Sequence, residues 1–400
     1  MIPRHVPALA LGTLALGVAE FSMMSILLPV ADDLGVTVPE AGHFISAYAA
    51  GVCAGVLIMA AAARKTLLLI IVGIITLGNT LTVFVDSYHL MLFSRFIAGL
   101  PHGAYFGAAG VLCTQLAEPG KASRDMCLMV AGMTIANLAG VPLASFLAWA
   151  VSWRAAFAIA AAAALITFAA IRITVPKVPA LPDSGFAAQF RFLRSLEPWL
   201  VLGAIGLGNG GFFAYYSYVN PVMEHVAAVP ASMMSVVITL AGAGMVLGNL
   251  FCAKISSSFS DESLAAAGQG VLLLSLASVF FLAHWSPAAI ALTTLAAGCV
   301  FFISGPEQVL MIRNAKEGQL LAASLAQVSF NAGNAVGAWL GGLPIDAGKA
   351  ANWAAMPGFF LALAGFGLLF VNWLIHRVRE EERTAGRIAA LKDQIQSKAP

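Results

Sequence analysis

The sequence predicts an all-α integral membrane protein of twelve transmembrane helices in two six-helix, pseudo-symmetric halves. Three observations carry that expectation. Hydrophobic residues make up 60% of the 400 residues and charged residues only 10%, against roughly 45–50% and 25% in soluble domains. The apolar residues gather in twelve long continuous runs, each close to the roughly 20 residues that carry a helix across a hydrocarbon core. Lys and Arg fall almost entirely in alternate loops. With 21 basic and 19 acidic residues the chain cannot clothe a soluble surface, so lipid is its expected solvent. This composition excludes a soluble enzyme, a secreted disulfide scaffold, a disordered chain and a nucleic-acid binder.

Taken in order, the expected spans lie near 6–31, 41–63, 66–85, 89–117, 126–151 and 155–171, then 198–221, 231–253, 264–285, 287–310, 319–345 and 353–375. The first run follows Met-Ile-Pro-Arg. It is too long for the core of a signal peptide and lacks a cleavage site, so it reads as a span. Short alternating strands of a barrel do not fit runs this long. With both termini inside, only Arg95, Arg154 and Lys349 of the 21 basic residues fall away from the cytoplasmic loops and tails. That positive-inside bias supports the even count and cytoplasmic termini. The stretch 172–197, with Pro176, Pro179 and Pro182 and then Arg191-Phe-Leu-Arg194, reads as a cytoplasmic linker. It divides an N-terminal half (1–171) from a C-terminal half (198–376), and the charged, helix-prone piece 377–400 reads as a cytoplasmic tail. Gly51 and Gly55 recur as Gly244 and Gly248, Asn137 and Gly140 as Asn334 and Gly337, and Pro29 as Pro221, at nearly constant offset. A parallel repeat of this kind places a substrate site between the halves near the midplane. Cys53, Cys113, Cys127, Cys252 and Cys299 are scattered without a CxxC pair and read as buried small apolar residues.

Small residues recur every fourth position: Gly99, Gly103 and Gly107; Gly132, Ala136 and Gly140 followed by Pro142; Gly333, Gly337 and Gly341. That spacing lets backbones approach closely, and the same smooth faces would let helices slide during gating. Only Glu20, Arg95 and Glu307 carry charge inside the expected spans. An intramembrane charge costs at least about 2.5 kcal/mol, so each is a functional candidate by default. A carboxyl shielded from water favours its neutral form and gives up the proton when water reaches it, which suits Glu20 to proton coupling. The bland reading is a bond to a neighbouring helix. Arg95, near the outer end of span four, would either snorkel or pair with Glu20 or a proton relay. His102 would shuttle protons or pack as a neutral ring. Glu307 follows Gly305-Pro306, where an interrupted helix is expected. Glu307 and the adjoining Gln308 are candidates for the substrate cavity, or Glu307 marks the inner end of its span.

Two helices carry polar stripes: Gln327, Asn331 and Asn334 on one, and Asn209, Phe213, Tyr216 and Asn220 on the other. Amides with aromatic faces suit a neutral or amphiphilic organic ligand such as a sugar or an aromatic drug. Interhelical hydrogen bonding uses the same residues. No HExxH, GxSxG, Walker lysine loop or metal cluster is present in the sequence. The chain therefore reads as no enzyme and needs no cofactor or metal. Uphill transport would draw on an ion gradient, most simply protons.

From Leu11 to about Ile375 the chain resembles the major facilitator superfamily, within its bacterial drug- and sugar-efflux branch. Ala19-Glu20-Phe21 resembles that branch. Arg95-Phe-Ile-Ala-Gly99-Leu-Pro-His102-Gly103-Ala-Tyr-Phe-Gly107 looks like the family's motif B. Gly132-Met-Thr-Ile-Ala-Asn137-Leu-Ala-Gly140-Val-Pro142 looks like motif C, associated with exporters that run as antiporters. Trp153-Arg154-Ala-Ala-Phe157 is also typical. The segment 190–223 and Phe330-Asn-Ala-Gly-Asn334-Ala-Val-Gly337 are similar to the AraJ-type arabinose-efflux permeases. The resemblance implies the twelve-helix fold, alternating access and proton-coupled export, with Glu20 and Arg95 as coupling candidates. Motif A departs from the pattern: it has shrunk to Ala61-Ala-Ala-Arg64-Lys65-Thr66 and lacks its acidic member, which implies a cytoplasmic latch with fewer ionic contacts. The expected function is export of small organic molecules across the bacterial inner membrane by proton antiport. The expected partners are a small-molecule substrate, protons and the lipid bilayer, with no nucleic acid and a monomeric chain. Two alternatives stand beside it: a proton-independent facilitator or importer of a neutral solute such as a sugar or nucleoside, and a non-transporting membrane sensor.

Overall fold

The computed structural model describes residues 3–59, 65–116, 122–176, 190–256, 258–315 and 319–396. Ala61 to Arg64 of the shortened motif A, and most of the expected linker, lie outside the described residues. Within them the chain folds into helices without strands. In order these are α1 (His5–Ser25), α2 (Leu27–Leu34), α3 (Val38–Met59), α4 (Lys65–Val83), α5 (Tyr88–Gly99), α6 (Pro101–Leu116), α7 (Ala122–Ile135), α8 (Val141–Ala150) and α9 (Arg154–Thr174). After the linker follow α10 (Leu196–Tyr216), α11 (Met234–Ile255), α12 (Asp261–Leu282), α13 (Ser286–Asn314), α14 (Gln319–Asp346) and α15 (Ala355–Gln396). Eight helical segments among the described residues are long and apolar enough to cross a membrane. The other expected runs, covered by α3, by α5 with α6, by α10 and by α14, are helical too and carry most of the buried polar residues discussed below. Large apolar side chains such as Leu77, Phe93, Trp149, Leu274, Phe281 and Trp339 point outward. An apolar exterior on a helical chain is a lipid-facing surface.

The helices break where proline removes a donor. Pro29 has no N–H for the carbonyl of Ser25, and the first span, expected as one helix over 6–31, divides at Ile26 into α1 and α2. Pro101 divides span four at Leu100. Pro221 follows a break at Ser217-Tyr218. Pro142 follows a π-helical turn over Ala136–Gly140; such bulges widen a helix locally and recur at functional sites. Pro306 is the exception. The expected interruption is absent, and α13 runs unbroken through it. Gly35 ends α2 in a left-handed cap with φ of 63°, a conformation open to a residue without Cβ. Thr37 and Glu40 form a capping box at the start of α3, with the Thr37 N–H donating to Glu40 at 2.7 Å. Lys65, the basic residue left from motif A, donates to the carbonyl of Arg172 at 2.8 Å, at the end of α9.

Glycines set the closest helix contacts. A Cβ on Gly333, Gly337 or Gly341 would lie 2.0, 2.2 and 2.1 Å from the carbonyls of Gly206, Gly210 and Ala214, so this face of α14 is pressed onto α10. A Cβ on Gly132 would lie 1.9 Å from the Ala10 carbonyl, and one on Gly140 2.6 Å from Val18; both pack motif C against α1. A Cβ on Gly99 would lie 2.0 Å from the Tyr48 carbonyl. Gly103 sits in α6 and is half-buried, and Pro142 is buried in the first turn of α8. The first nine helices meet the later ones directly. Ser46 donates to the Ala335 carbonyl at 2.9 Å. A Cβ on Gly242 would lie 2.3 Å from the Asn137 carbonyl. The largest apolar cluster draws Phe21, Phe44 and Phe157 together with Phe212, Phe213 and Tyr218.

Candidate functional site

Glu20 lies near the end of α1 and is 3% exposed. Four helices bring polar groups to it or to its neighbours. From α14, Asn334 donates its Nδ2 hydrogen to Oε1 at 3.5 Å. From α6, His102 places Nε2 3.8 Å from Oε2. From α3, Tyr48 holds the other face of that imidazole, with its hydroxyl 2.9 Å from Nδ1. From α5, Arg95 donates to the carbonyl of Ala19 at 2.8 Å, and its charge and that of Glu20 act on one another. The guanidinium is sandwiched between the rings of Tyr48 and Phe157, at 4.5 and 5.0 Å from their centroids. Such stacking is worth about 2 kcal/mol or more where water is absent. Arg95 is 0% exposed. The snorkelling reading is therefore overturned: its stem points inward to a carbonyl and two aromatic faces, and among the described residues its Nε and Nη1 have no hydrogen-bond partner.

The local sequence explains this gathering. Pro101 restarts span four just past Leu100, and His102 stands in the first turn of α6. Gly99 lets α5 touch the Tyr48 backbone, drawing Tyr48, Arg95 and His102 to one level. Beside Glu20, Phe21 faces Phe213 of α10 with centroids 6.4 Å apart. Phe213 meets Phe330 of α14 edge-on at 5.3 Å. Three aromatics from three helices thus form a continuous row that begins at the residue after Glu20. Tyr216 stacks on Phe212 at 4.6 Å.

The other polar candidates divide. Asn331 is buried and bonds back to the Gln327 carbonyl at 3.0 Å, while Gln327 is half-buried. Asn220 has both amide atoms engaged: Oδ1 accepts from the Leu28 N–H at 2.9 Å and Nδ2 donates to Glu224. It ties α2 to the turn after α10 and is 1% exposed, so in this structure its amide serves a contact between helices. Gln308 is on the exposed face of α13 and is not brought to the site. Glu307 does not mark the end of a span in contact with water. It is 2% exposed and accepts from Asn209 Nδ2 at 3.4 Å.

Tyr48 was not singled out in the sequence, and Phe21 and Phe330 entered only as parts of family-like strings, not as site candidates. Tyr48 is the one with a signal: a tyrosine in an apolar run needs a partner for its hydroxyl. Three cysteines, Cys53, Cys252 and Cys299, are free thiols, and no cluster among the described residues has the make-up of a metal site. At one end of the bundle Arg313 and His376 both reach the buried Glu262, the latter at 3.4 Å, and Arg379 reaches Glu197. Elsewhere Arg154 bonds Asp33 at 2.7 Å, and that bond holds the Asp33 carboxyl below its ordinary range. Between α11, α12 and α13 lies an apolar groove of about 840 Å³, lined by residues such as Leu247, Phe251 and Leu295 and open to the lipid side. It holds none of the residues of the Glu20 site.

The chain is similar to known proteins along most of its length. Residues 9–320 match the family described as Major Facilitator Superfamily. AraJ of Escherichia coli (strain K12), which bears the name of a transporter, is 36% identical over 91% of this chain and 93% of its own. The inner membrane transport protein YdhP of the same organism is 32% identical over 91% of this chain and 94% of its own. The purine ribonucleoside efflux pump NepI of Shigella sonnei (strain Ss046) is 26% identical over 82% of this chain and 84% of its own.

Proposed function

Since the chain belongs to the Major Facilitator Superfamily, and is therefore a multi-pass membrane transporter and not an enzyme, we propose that it exports small organic molecules in exchange for protons. The proposal takes the helices as twelve spans in two halves, 1–171 and 198–376, joined by the linker 172–197 and followed by the tail 377–400. It sets a monomer in the bacterial inner membrane with both termini in the cytoplasm, consistent with the positive-inside bias and with YdhP's name as an inner membrane transport protein.

One observation carries the reading. Glu20, in the first span, bonds to Asn334, 314 residues away in the second half, and lies beside His102 and Arg95. A bond from an amide to a charged carboxylate is stronger than one to a neutral acid. Protonation of Glu20 therefore loosens a contact between halves, and deprotonation restores it and gives Arg95 its counter-charge. That couples proton occupancy to the relative position of the halves. With the Tyr48 hydroxyl donating to Nδ1, His102 presents Nε2–H toward Glu20, and a small movement or one water closes the 3.8 Å gap. The substrate site is read as the space beside Phe21, Phe213 and Phe330, with Tyr216, Gln327 and Asn331 supplying further aromatic and amide surface. Those groups suit a neutral or amphiphilic ring compound such as a sugar, nucleoside or aromatic drug. Gly99, Gly103, Gly132, Gly140 and Pro142 are read as the surfaces on which helices slide. NepI's name as an efflux pump supports the outward direction.

The test is transport into everted vesicles of solutes first found by ligand-dependent melting over sugars, nucleosides and neutral or cationic drugs. Accumulation abolished by an uncoupler, and by Glu20→Gln, is the expected result. Counterflow with no pH dependence would instead assign a proton-independent facilitator or importer.

A further inference from the structure

Glu307 is the second carboxyl buried within a span, and the proton path through Glu20 does not use it. It lies in α13, directly after Pro306, and among the described residues its one hydrogen bond is from the amide of Asn209 on α10, at 3.4 Å on Oε2. Its Oε1 has no hydrogen-bond partner among the described residues. The Oδ1 of the same Asn209 also has none, while Asn209 Nδ2 further donates to the Ile205 carbonyl at 2.9 Å. Two acceptor oxygens on bonded neighbours are thus left without a hydrogen between them.

No charged group on the surrounding helices is bonded to Glu307 among the described residues: Lys254 is exposed at the end of α11, and most of the others are held by partners of their own. Arg313, on α13 itself, is six residues on, about 9 Å along the axis, and is held by Glu262 of α12. His376 of α15 faces the same Glu262 at 3.4 Å, Arg377 bonds Glu381 at 3.3 Å, and Arg379 bonds Glu197 of α10. Asp261 opens α12 beside Glu262, and Asp346 closes α14 at the other end of the bundle. Among the described residues none of these touches Glu307. A bare carboxylate removed from water needs a cation or several donors, and one amide hydrogen is neither. A neutral acid needs less. With its hydrogen on Oε1, Glu307 donates to Asn209 Oδ1 while Asn209 Nδ2 donates to Oε2. One proton then satisfies both orphaned oxygens in a cyclic acid–amide pair.

We propose that Glu307 is a second proton-binding site, closed by Asn209 and independent of Glu20. The inference rests on the proton-exchange reading for its role in transport, while occupancy of the site stands apart from it. Release breaks the O–H bond at Oε1 and passes the proton to water once α10 and α13 part. Uptake reverses this, and no other bond changes. Each half then carries one exchangeable proton, Glu20 bonded to Asn334 and Glu307 bonded to Asn209.

Infrared spectroscopy of the full-length protein in lipid, with no solute added, reads the site directly. A protonated carboxylic acid has a carbonyl stretch separate from that of a carboxylate. Glu307→Gln is expected to remove one protonated-acid band that Glu20→Gln leaves in place, and that band disappears on raising pH in the parent protein. Asn209→Ala is expected to keep the band and move it to higher wavenumber, because the carbonyl loses its N–H donor. An unchanged spectrum in Glu307→Gln overturns the proposal, as does removal of the band by sodium at constant pH, which would make the site a metal-cation site. If Glu307→Gln does not fold, Asn209→Ala decides alone: a band that stays in place overturns the assignment. Because the Glu20 band is read separately, a failure of the Glu20 reading leaves this result standing.

Discussion

Removing one oxygen from Tyr48 tests whether the buried imidazole is a relay or a packing element. Tyr48→Phe deletes the hydroxyl that sits 2.9 Å from His102 Nδ1 but keeps the ring that lies 4.5 Å from the Arg95 guanidinium. His102 is buried, so its Nδ1 is left without a partner in a dry site, at a cost of about 1–3 kcal/mol. At 1.4 kcal/mol per tenfold, that corresponds to roughly a 5- to 150-fold slowing of solute-driven proton exchange. The imidazole is also freed to adopt either tautomer, and half of those orientations present no hydrogen to Glu20. The assay is dequenching of an acridine dye in energised everted vesicles on solute addition, run beside a thermal melt. Tyr48→Ala should lose the same exchange and a further ~2 kcal/mol of stability, since the stacked ring goes as well. Tyr48→Phe combined with His102→Asn should be no slower than His102→Asn alone. Exchange within twofold of the parent in Tyr48→Phe, with a normal melt, would refute the relay.

Four further outcomes follow from the helix contacts and from one surface ion pair. Gly333→Ala places a Cβ 2.0 Å from the Gly206 carbonyl, and the backbone shift should lower stability by about 1–3 kcal/mol or more. Gly73→Ala meets nothing within 4 Å and should raise it by about 0.5–1 kcal/mol, through helix propensity alone; melts of the two variants in one detergent check both signs. Asn220→Ala deprives the Leu28 N–H of its acceptor. It should favour opening of that end by about 1–3 kcal/mol, read as faster thiol labelling of a cysteine placed at Leu28. Asp33, held below its ordinary range by Arg154, contributes stability that is present above the unfolded-state value and lost as pH falls through the folded one. The side chain is 44% exposed, so the contribution is under about 1 kcal/mol. Asp33→Asn should melt slightly below the parent at neutral pH, with the gap closing as pH falls below the ordinary carboxylate range.

Much of the architecture was legible because lipid imposes a simple code. Long apolar runs and the placement of Lys and Arg are one-dimensional signals, and the three intramembrane charges stood out by their cost alone. The glycine faces were legible too, since spacing of four fixes a helix face whatever the partner. Contacts between distant residues were not. Nothing in the sequence near Asn334 says that it bonds Glu20, and nothing near Tyr48 says that it holds both Arg95 and His102. Prolines were read unevenly for a physical reason. Pro29, Pro101 and Pro221 break their helices, whereas Pro306 is accommodated in a helix packed on several sides, and only tertiary context separates the two outcomes. Gln308 was grouped with Glu307 by adjacency, but neighbours on a helix point about 100° apart. Asn220 had the expected chemistry and a different use, because the N–H freed beside Pro29 needed an acceptor.

The central claim is that Glu20 carries the proton exchanged for solute. The most direct test compares proton release from acid-loaded everted vesicles on adding a solute shown to bind the purified protein, in the parent and in Glu20→Gln. Coupling through Glu20 predicts immediate dequenching in the parent. It predicts none in Glu20→Gln, although that variant still binds the solute in a thermal shift. Equal dequenching in both proteins would contradict it.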